Sequence, residues 1–130
     1  MPEPTTSVRK SRILCTEDDA DTREVLTLLL QLAGFDVTCV ENSAHAIRLA
    51  QSEKFDLYLL DSWLPGMEGD DLCKTLRELD ATIPVLFYSG ATAPADRARA
   101  MAAGAKGYLL KPADSDQLAS EIKRLIAERM

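Results

Sequence analysis

The sequence predicts an α/β domain, an open doubly wound sheet of five parallel strands with helices on both faces. Two observations carry this. Short apolar runs alternate with amphipathic stretches five times along the chain, and strand followed by helix implies parallel strands joined by right-handed crossovers. The most apolar run, Phe55 to Leu60, suits a sheet centre covered on both faces.

Each element follows from local pattern. Ile13–Leu14–Cys15 is the first strand, followed by an acidic turn. Val25, Leu28, Leu29 and Leu32 recur at helical spacing, and Gly34 suits the C′ position of that helix. Asp21 with Glu24 three residues on predicts a capping box at its start. Phe35 to Val40 reads as the second strand, and Asn42 or Ser43 as the cap of a helix carrying Ala46, Ile47 and Ala50. After the third strand, Phe55 to Leu60, the turn Pro65–Gly66–Met67–Glu68–Gly69 leads into a helix with Leu72, Cys73, Leu76 and Leu79 on one side. Pro84 opens a fourth strand, Val85 to Tyr88. An alanine-rich helix runs from about Pro94 to Ala103 and ends near Gly104. Tyr108–Leu109–Leu110 is the fifth strand, and Asp114 with Gln117 caps a last helix bearing Leu118, Ile122, Leu125 and Ile126. No repeat, low-complexity stretch or linker divides the chain. The expected organisation is a Pro/Thr/Ser-rich flexible tail over residues 1–11 and one domain over residues 12–130.

Composition narrows the function. The chain has 130 residues, 46% of them apolar, enough for a real core. A net charge of −6 leaves no basic face for nucleic acid, and Arg9, Lys10 and Arg12 read as a solvated lead-in. No apolar stretch approaches the roughly 20 residues that span a bilayer, and no signal peptide is visible, so a cytoplasmic protein without membrane contact is expected. Cys15, Cys39 and Cys73 lack paired spacing; they read as small core residues, since a redox role would need an exposed thiolate.

In open α/β sheets the ligand crevice lies beyond the C-terminal ends of the strands. There the first strand delivers Glu17, Asp18 and Asp19, and the third delivers Asp61. The fourth delivers Ser89 followed by Gly90, and the fifth Lys111 followed by Pro112. Carboxylates packed together repel unless a cation relieves them. Mg²⁺ takes oxygen ligands and keeps several waters, so two carboxylates and a carbonyl suffice. The competing reading is that Glu17 to Asp19 only cap the first helix. Asp61, at the end of a buried strand, has no such capping task. An acidic first turn in place of a glycine-rich cradle would repel a nucleotide or flavin. His45, the single histidine, reads as a partly exposed helix residue.

Taken together, these residues resemble the CheY-like receiver domains of bacterial two-component response regulators, over about residues 11–128. The matching pieces are Ile13–Leu14–Cys15–Thr16–Glu17–Asp18–Asp19, Asp56–Leu57–Tyr58–Leu59–Leu60–Asp61, Leu64–Pro65–Gly66–Met67–Glu68–Gly69, Val85–Leu86–Phe87–Tyr88–Ser89–Gly90 and Gly107–Tyr108–Leu109–Leu110–Lys111–Pro112. The resemblance implies strand order 2-1-3-4-5 and makes Asp61 the phosphoacceptor in a Mg²⁺-dependent reaction. The donor would be the phosphohistidine of a sensor histidine kinase or histidine phosphotransfer protein. Asp18 and Asp61 resemble direct Mg²⁺ ligands, Glu17 a water-mediated one, and Trp63 the donor of a backbone carbonyl. Lys111 would supply positive charge to the phosphoryl group, with a cis bond to Pro112. Ser89 would hydrogen-bond a phosphoryl oxygen, and Tyr108 would turn from exposed to buried as the loop after Ser89 moves. On spacing alone, Lys111 is a surface lysine and Tyr108 ordinary core.

The resemblance also implies a phosphoacceptor that assists its own phosphorylation and dephosphorylation, rather than an enzyme with turnover. The first helix would meet the phosphodonor, and the last strand with its flanking helices would meet an unidentified downstream protein. No effector domain is expected within the chain. Trp63, two residues past Asp61, is bulky, and Ala91, two past Ser89, is small; Trp63 is expected to obstruct the hydrolytic water and lengthen the phosphoryl lifetime. Two other functions compete. An aspartyl phosphohydrolase of the haloacid-dehalogenase type would need a second Asp where Trp63 stands. A receiver-like interaction module would never be phosphorylated.

Overall fold

In the computed structural model, which describes residues 9–129, β1 (Arg12–Thr16) lies between β2 (Asp36–Val40) and β3 (Leu57–Leu60). Beyond β3 follow β4 (Val85–Ser89) and β5 (Gly107–Leu110), giving the order β2-β1-β3-β4-β5 with every pair parallel. The helices between and after the strands are α1 (Ala20–Leu32), α2 (Ser43–Ser52), α3 (Gly69–Leu79), α4 (Pro94–Ala102) and α5 (Ser115–Arg129). The predicted fold class and strand order hold.

Alternation along the strands sends neighbouring side chains to opposite faces. Leu14, Tyr58, Leu60 and Phe87 join the core under α2, α3 and α4, with Ala46, Leu72, Leu76 and Ala100. Ile13, Cys15, Leu57, Leu59 and Leu86 join the core under α1 and α5, with Leu26, Leu30, Leu118, Ile122 and Leu125. β3 is buried along its whole length because both cores need it.

Two expectations for α1 need correction. The helix starts earlier than the Asp21–Glu24 box: Asp19 is the cap, its carboxylate accepting from the Thr22 amide at 2.9 Å and the Thr22 hydroxyl at 2.7 Å. Asp19 has the extended backbone a cap requires, whereas Asp21 already lies in the first turn. The buried stripe is Leu26 and Leu30, while Val25, Leu28 and Leu32 are each more than half exposed. Leu79, at the end of α3, is exposed as well.

The other termini form as their residues suggest. Gly34, at φ +99°, stands after the αR residue Ala33, and the Phe35 amide closes on the Leu30 carbonyl at 3.1 Å. Asn42 caps α2 through the His45 amide at 2.9 Å, and His45 is half-buried. Asp114 accepts from the Gln117 amide at 2.7 Å ahead of α5. The predicted tail falls mostly outside the described residues. In its described part Arg9 reaches Asp56 at 3.3 Å, and the Ser11 carbonyl accepts from the Asp36 amide at 2.9 Å.

Candidate functional site

β1, β3, β4 and β5 all end on one edge of the sheet, so the residues that follow them meet there. Glu17 and Asp18 continue β1, and the Glu17 amide is fixed to the Val40 carbonyl at 2.9 Å. Asp61 continues β3. A carboxylate oxygen from each of Glu17, Asp18 and Asp61 lies within 4.8 Å of the others. Glu17 is 3% exposed and Asp61 7%, whereas Asp18 faces solvent.

Lys111 answers this charge. Its ammonium is bonded to Asp61 Oδ2 at 3.0 Å and makes a short contact with Glu17 Oε1. Burial disfavours the ammonium, but the hydrogen bonds to Glu17 and Asp61 outweigh it and hold the Lys111 pKa above its ordinary value. The Lys111–Pro112 bond is cis, as expected. Burial pushes the Glu17 carboxyl upward; the Lys111 bond opposes this without cancelling it. Formally, three carboxylates meet one ammonium, which is bonded to Glu17 and Asp61, leaving two negative charges in excess. Three hard oxygen donors with that deficit fit a divalent cation such as Mg²⁺.

Asp61 Oδ1 accepts from its neighbour's amide, Ser62 N, at 2.6 Å, and more distantly from Trp63 N at 3.4 Å. The loop after it is closed by the Gly69 amide on the Ser62 carbonyl at 3.0 Å. Gly69 has no room for a side chain: a Cβ there would run into the Asp61 carbonyl oxygen and stand 2.9 Å from the Phe87 ring. The Trp63 side chain is 57% exposed at the rim.

Ser89, fully buried at the end of β4, accepts from the Ala91 amide at 3.0 Å, leaving its own proton free to donate. Tyr108 is half-buried, stacked on Phe87 with centroids 5.9 Å apart, and its hydroxyl donates to the Ala91 carbonyl at 2.7 Å. Ala91 therefore links the two residues through one peptide on each side.

Sequence reasoning missed Arg23. From α1 it donates to the Glu17 and Asp18 carbonyls, each at 2.9 Å, and pins the acidic turn. An arginine five and six residues after the acids, on the first turns of a helix, was the available signal.

The family model for the response regulator receiver domain matches residues 13–123. The DNA-binding response regulator MtrA of Mycolicibacterium paratuberculosis is 33% identical over 114 residues, covering 88% of this chain and 50% of that protein. The chain thus spans about half the length of the curated relatives it matches. A CheY-like receiver domain protein from Methanospirillum hungatei superposes with a TM-score of 0.89 at 26% identity, covering 93% of this chain and 97% of that one. The receiver domain of a sensor histidine kinase from Pseudomonas aeruginosa, solved with magnesium coordinated in its active-site cleft, gives a TM-score of 0.85 at 26% identity, covering 92% and 99%.

Proposed function

Because the chain belongs to the response regulator receiver domains of two-component signalling, we propose that Asp61 accepts a phosphoryl group from a partner's phosphohistidine. The observation that carries this is the pairing of the nearly buried Asp61 carboxylate with Lys111, Glu17 and Asp18 around a space short of positive charge. The same donor set would hold Mg²⁺ through Asp18 and Asp61 directly and Glu17 through water. The Trp63 backbone carbonyl is added by resemblance. Bound there, the ion neutralises charge on the phosphoryl oxygens.

The remaining work falls to the chain's own residues. The Asp61 carboxylate attacks phosphorus as the P–N bond to the donor imidazole breaks, giving an aspartyl phosphate. Lys111, freed from Asp61 Oδ2, supplies positive charge to an equatorial oxygen. The Ser89 hydroxyl donates to another. Drawing Ser89 toward the phosphoryl group acts on Ala91, and through Ala91 on the Tyr108 hydroxyl, so the β4–α4 loop and the β5 face carry the output. The exposed apolar side chains along α1, Val25, Leu28 and Leu32, suit a docking phosphodonor, either a sensor histidine kinase or a histidine phosphotransfer protein. Among the described residues no helix is long and apolar enough to cross a membrane; the reading places the chain in the cytoplasm because that is where it would meet its phosphodonor. We keep residues 12–130 as a single receiver unit that assists its own phosphorylation and dephosphorylation.

Incubation with acetyl phosphate and Mg²⁺, read by intact mass, tests the proposal. One phosphoryl group on the native chain and none on Asp61→Ala is the expected result. No adduct on the native chain would point instead to an unphosphorylated interaction module, and steady turnover of a phosphate ester to a phosphohydrolase.

A further inference from the structure

Two thiols face each other across β1 and β2, and the phosphoryl chemistry uses neither. The parallel register pairs Cys15 with Cys39. Directly opposed residues project to the same side of the sheet, here the face covered by α1 and α5: Cys15 lies within that core and Cys39 packs against it. Neighbouring strands run about 4.8 Å apart, inside the roughly 4.4–6.8 Å between Cα atoms that a disulfide spans.

The two differ in access. Cys15 is buried, while Cys39 is half-buried and lines the groove between α1 and β2 with Arg23, Thr27 and Leu28. The Cys15 thiol favours the Cys39 thiolate, as do the Thr27 hydroxyl and the Arg23 charge, and together they hold Cys39 below the ordinary thiol range against the opposing effects of burial and of the Glu17 charge. An accessible, stabilised thiolate beside a second thiol is the arrangement found in peroxide-oxidisable cysteines. Cys73 has none of it: it lies on the opposite face, its thiol directed at the Ala103 carbonyl, and burial raises its pKa to about 11.

We propose that Cys39 and Cys15 form a reversible intramolecular disulfide on exposure to hydrogen peroxide, with Cys39 attacking and Cys15 resolving. The Cys39 thiolate takes one oxygen from the peroxide; the O–O bond breaks, and the departing hydroxide gains a proton to leave as water. The Cys15 sulfur then attacks the Cys39 sulfenic sulfur. The S–S bond forms, the S–O bond breaks, and the Cys15 proton leaves with the hydroxide as a second water. Two thiols are oxidised and one peroxide is reduced.

The test treats the full chain with hydrogen peroxide, blocks remaining thiols under denaturing conditions, digests with trypsin and maps the peptides. The expected product links peptide 13–23 to peptide 24–48, with Cys73 still blocked, and dithiothreitol reverses it. Cys73→Ser should behave like the native chain, Cys39→Ser should give no linked peptide, and Cys15→Ser should carry oxygen on Cys39 instead. Three results would overturn the proposal: thiols at 15 and 39 that stay free, a native chain whose Cys39 proceeds to sulfinic acid with Cys15 still blocked, or a Cys39 disulfide joining two chains.

Discussion

β3 carries an aspartate at each end, and the two have opposite surroundings. Asp56, just before the strand, accepts from the Arg12 amide at 2.7 Å and pairs with Arg9 at 3.3 Å and Arg129 at 3.5 Å. Arg12 in turn pairs with Glu53 at 2.6 Å and Asp36 at 3.5 Å, so three arginines meet three carboxylates. At the other end, Glu17, Asp18 and Asp61 crowd together, and one lysine, Lys111, is bonded to Glu17 and Asp61. The chemical group is the same in both places; the balance of charge differs. A carboxylate with its partners in place holds the chain together, here joining the lead-in to β1 and the end of α5. A carboxylate crowded by others stores repulsion that a ligand can relieve.

That contrast makes predictions. The largest concerns Lys111→Ala, which should slow phosphorylation by acetyl phosphate on the order of 10²-fold, as removal of a transition-state donor does. Asp56→Asn should leave the rate unchanged, and an equal loss in both variants would erase the distinction. Next, Mg²⁺ at a hundred times its dissociation constant should stabilise the native chain by about 2.7 kcal/mol in urea titrations. Asp61→Asn should take away most of that gain. A native chain indifferent to Mg²⁺ would leave the acidic cluster without a ligand.

Without metal the two aspartates should respond with opposite sign. Asp56→Asn should lower stability by about 1–2 kcal/mol, since it weakens a bond to a backbone amide and two ion pairs. Asp61→Asn should raise it by roughly 1 kcal/mol through relief of repulsion, a modest figure because Lys111 also loses a partner. Matching signs in denaturant melts would mean that the crowding carries no energetic weight. Smallest is the effect of Trp63→Asn, expected to speed loss of the phosphoryl group a few-fold, below about 1.4 kcal/mol in barrier. A dephosphorylation time course unchanged by the substitution would remove Trp63 from control of the water.

Such differences also mark what could be read from the sequence. Glu17, Asp18, Asp61, Ser89 and Lys111 were legible because strand ends in this fold point to one edge, and the strands are short apolar runs with clear limits. α1 was harder. From Val25 to Leu32 it is apolar on nearly every side, so periodicity could not select the buried stripe. Packing against Phe35 and α5 selected Leu26 and Leu30. The Asp56 cluster was not legible, since its arginines lie 44 and 47 residues away on one side and 73 on the other. Only the closed fold brings them together. The Cys15–Cys39 pairing was hidden for the same reason: the strand register, not the spacing, sets it.

Gly69 bears on any attempt to move this site to another scaffold. Its missing side chain is what lets the start of α3 lie against the peptide that carries Asp61. Transplanting the acids and the lysine alone would therefore reproduce the charges on a displaced backbone. A faithful graft has to carry the bare position along, although it contributes no functional group of its own.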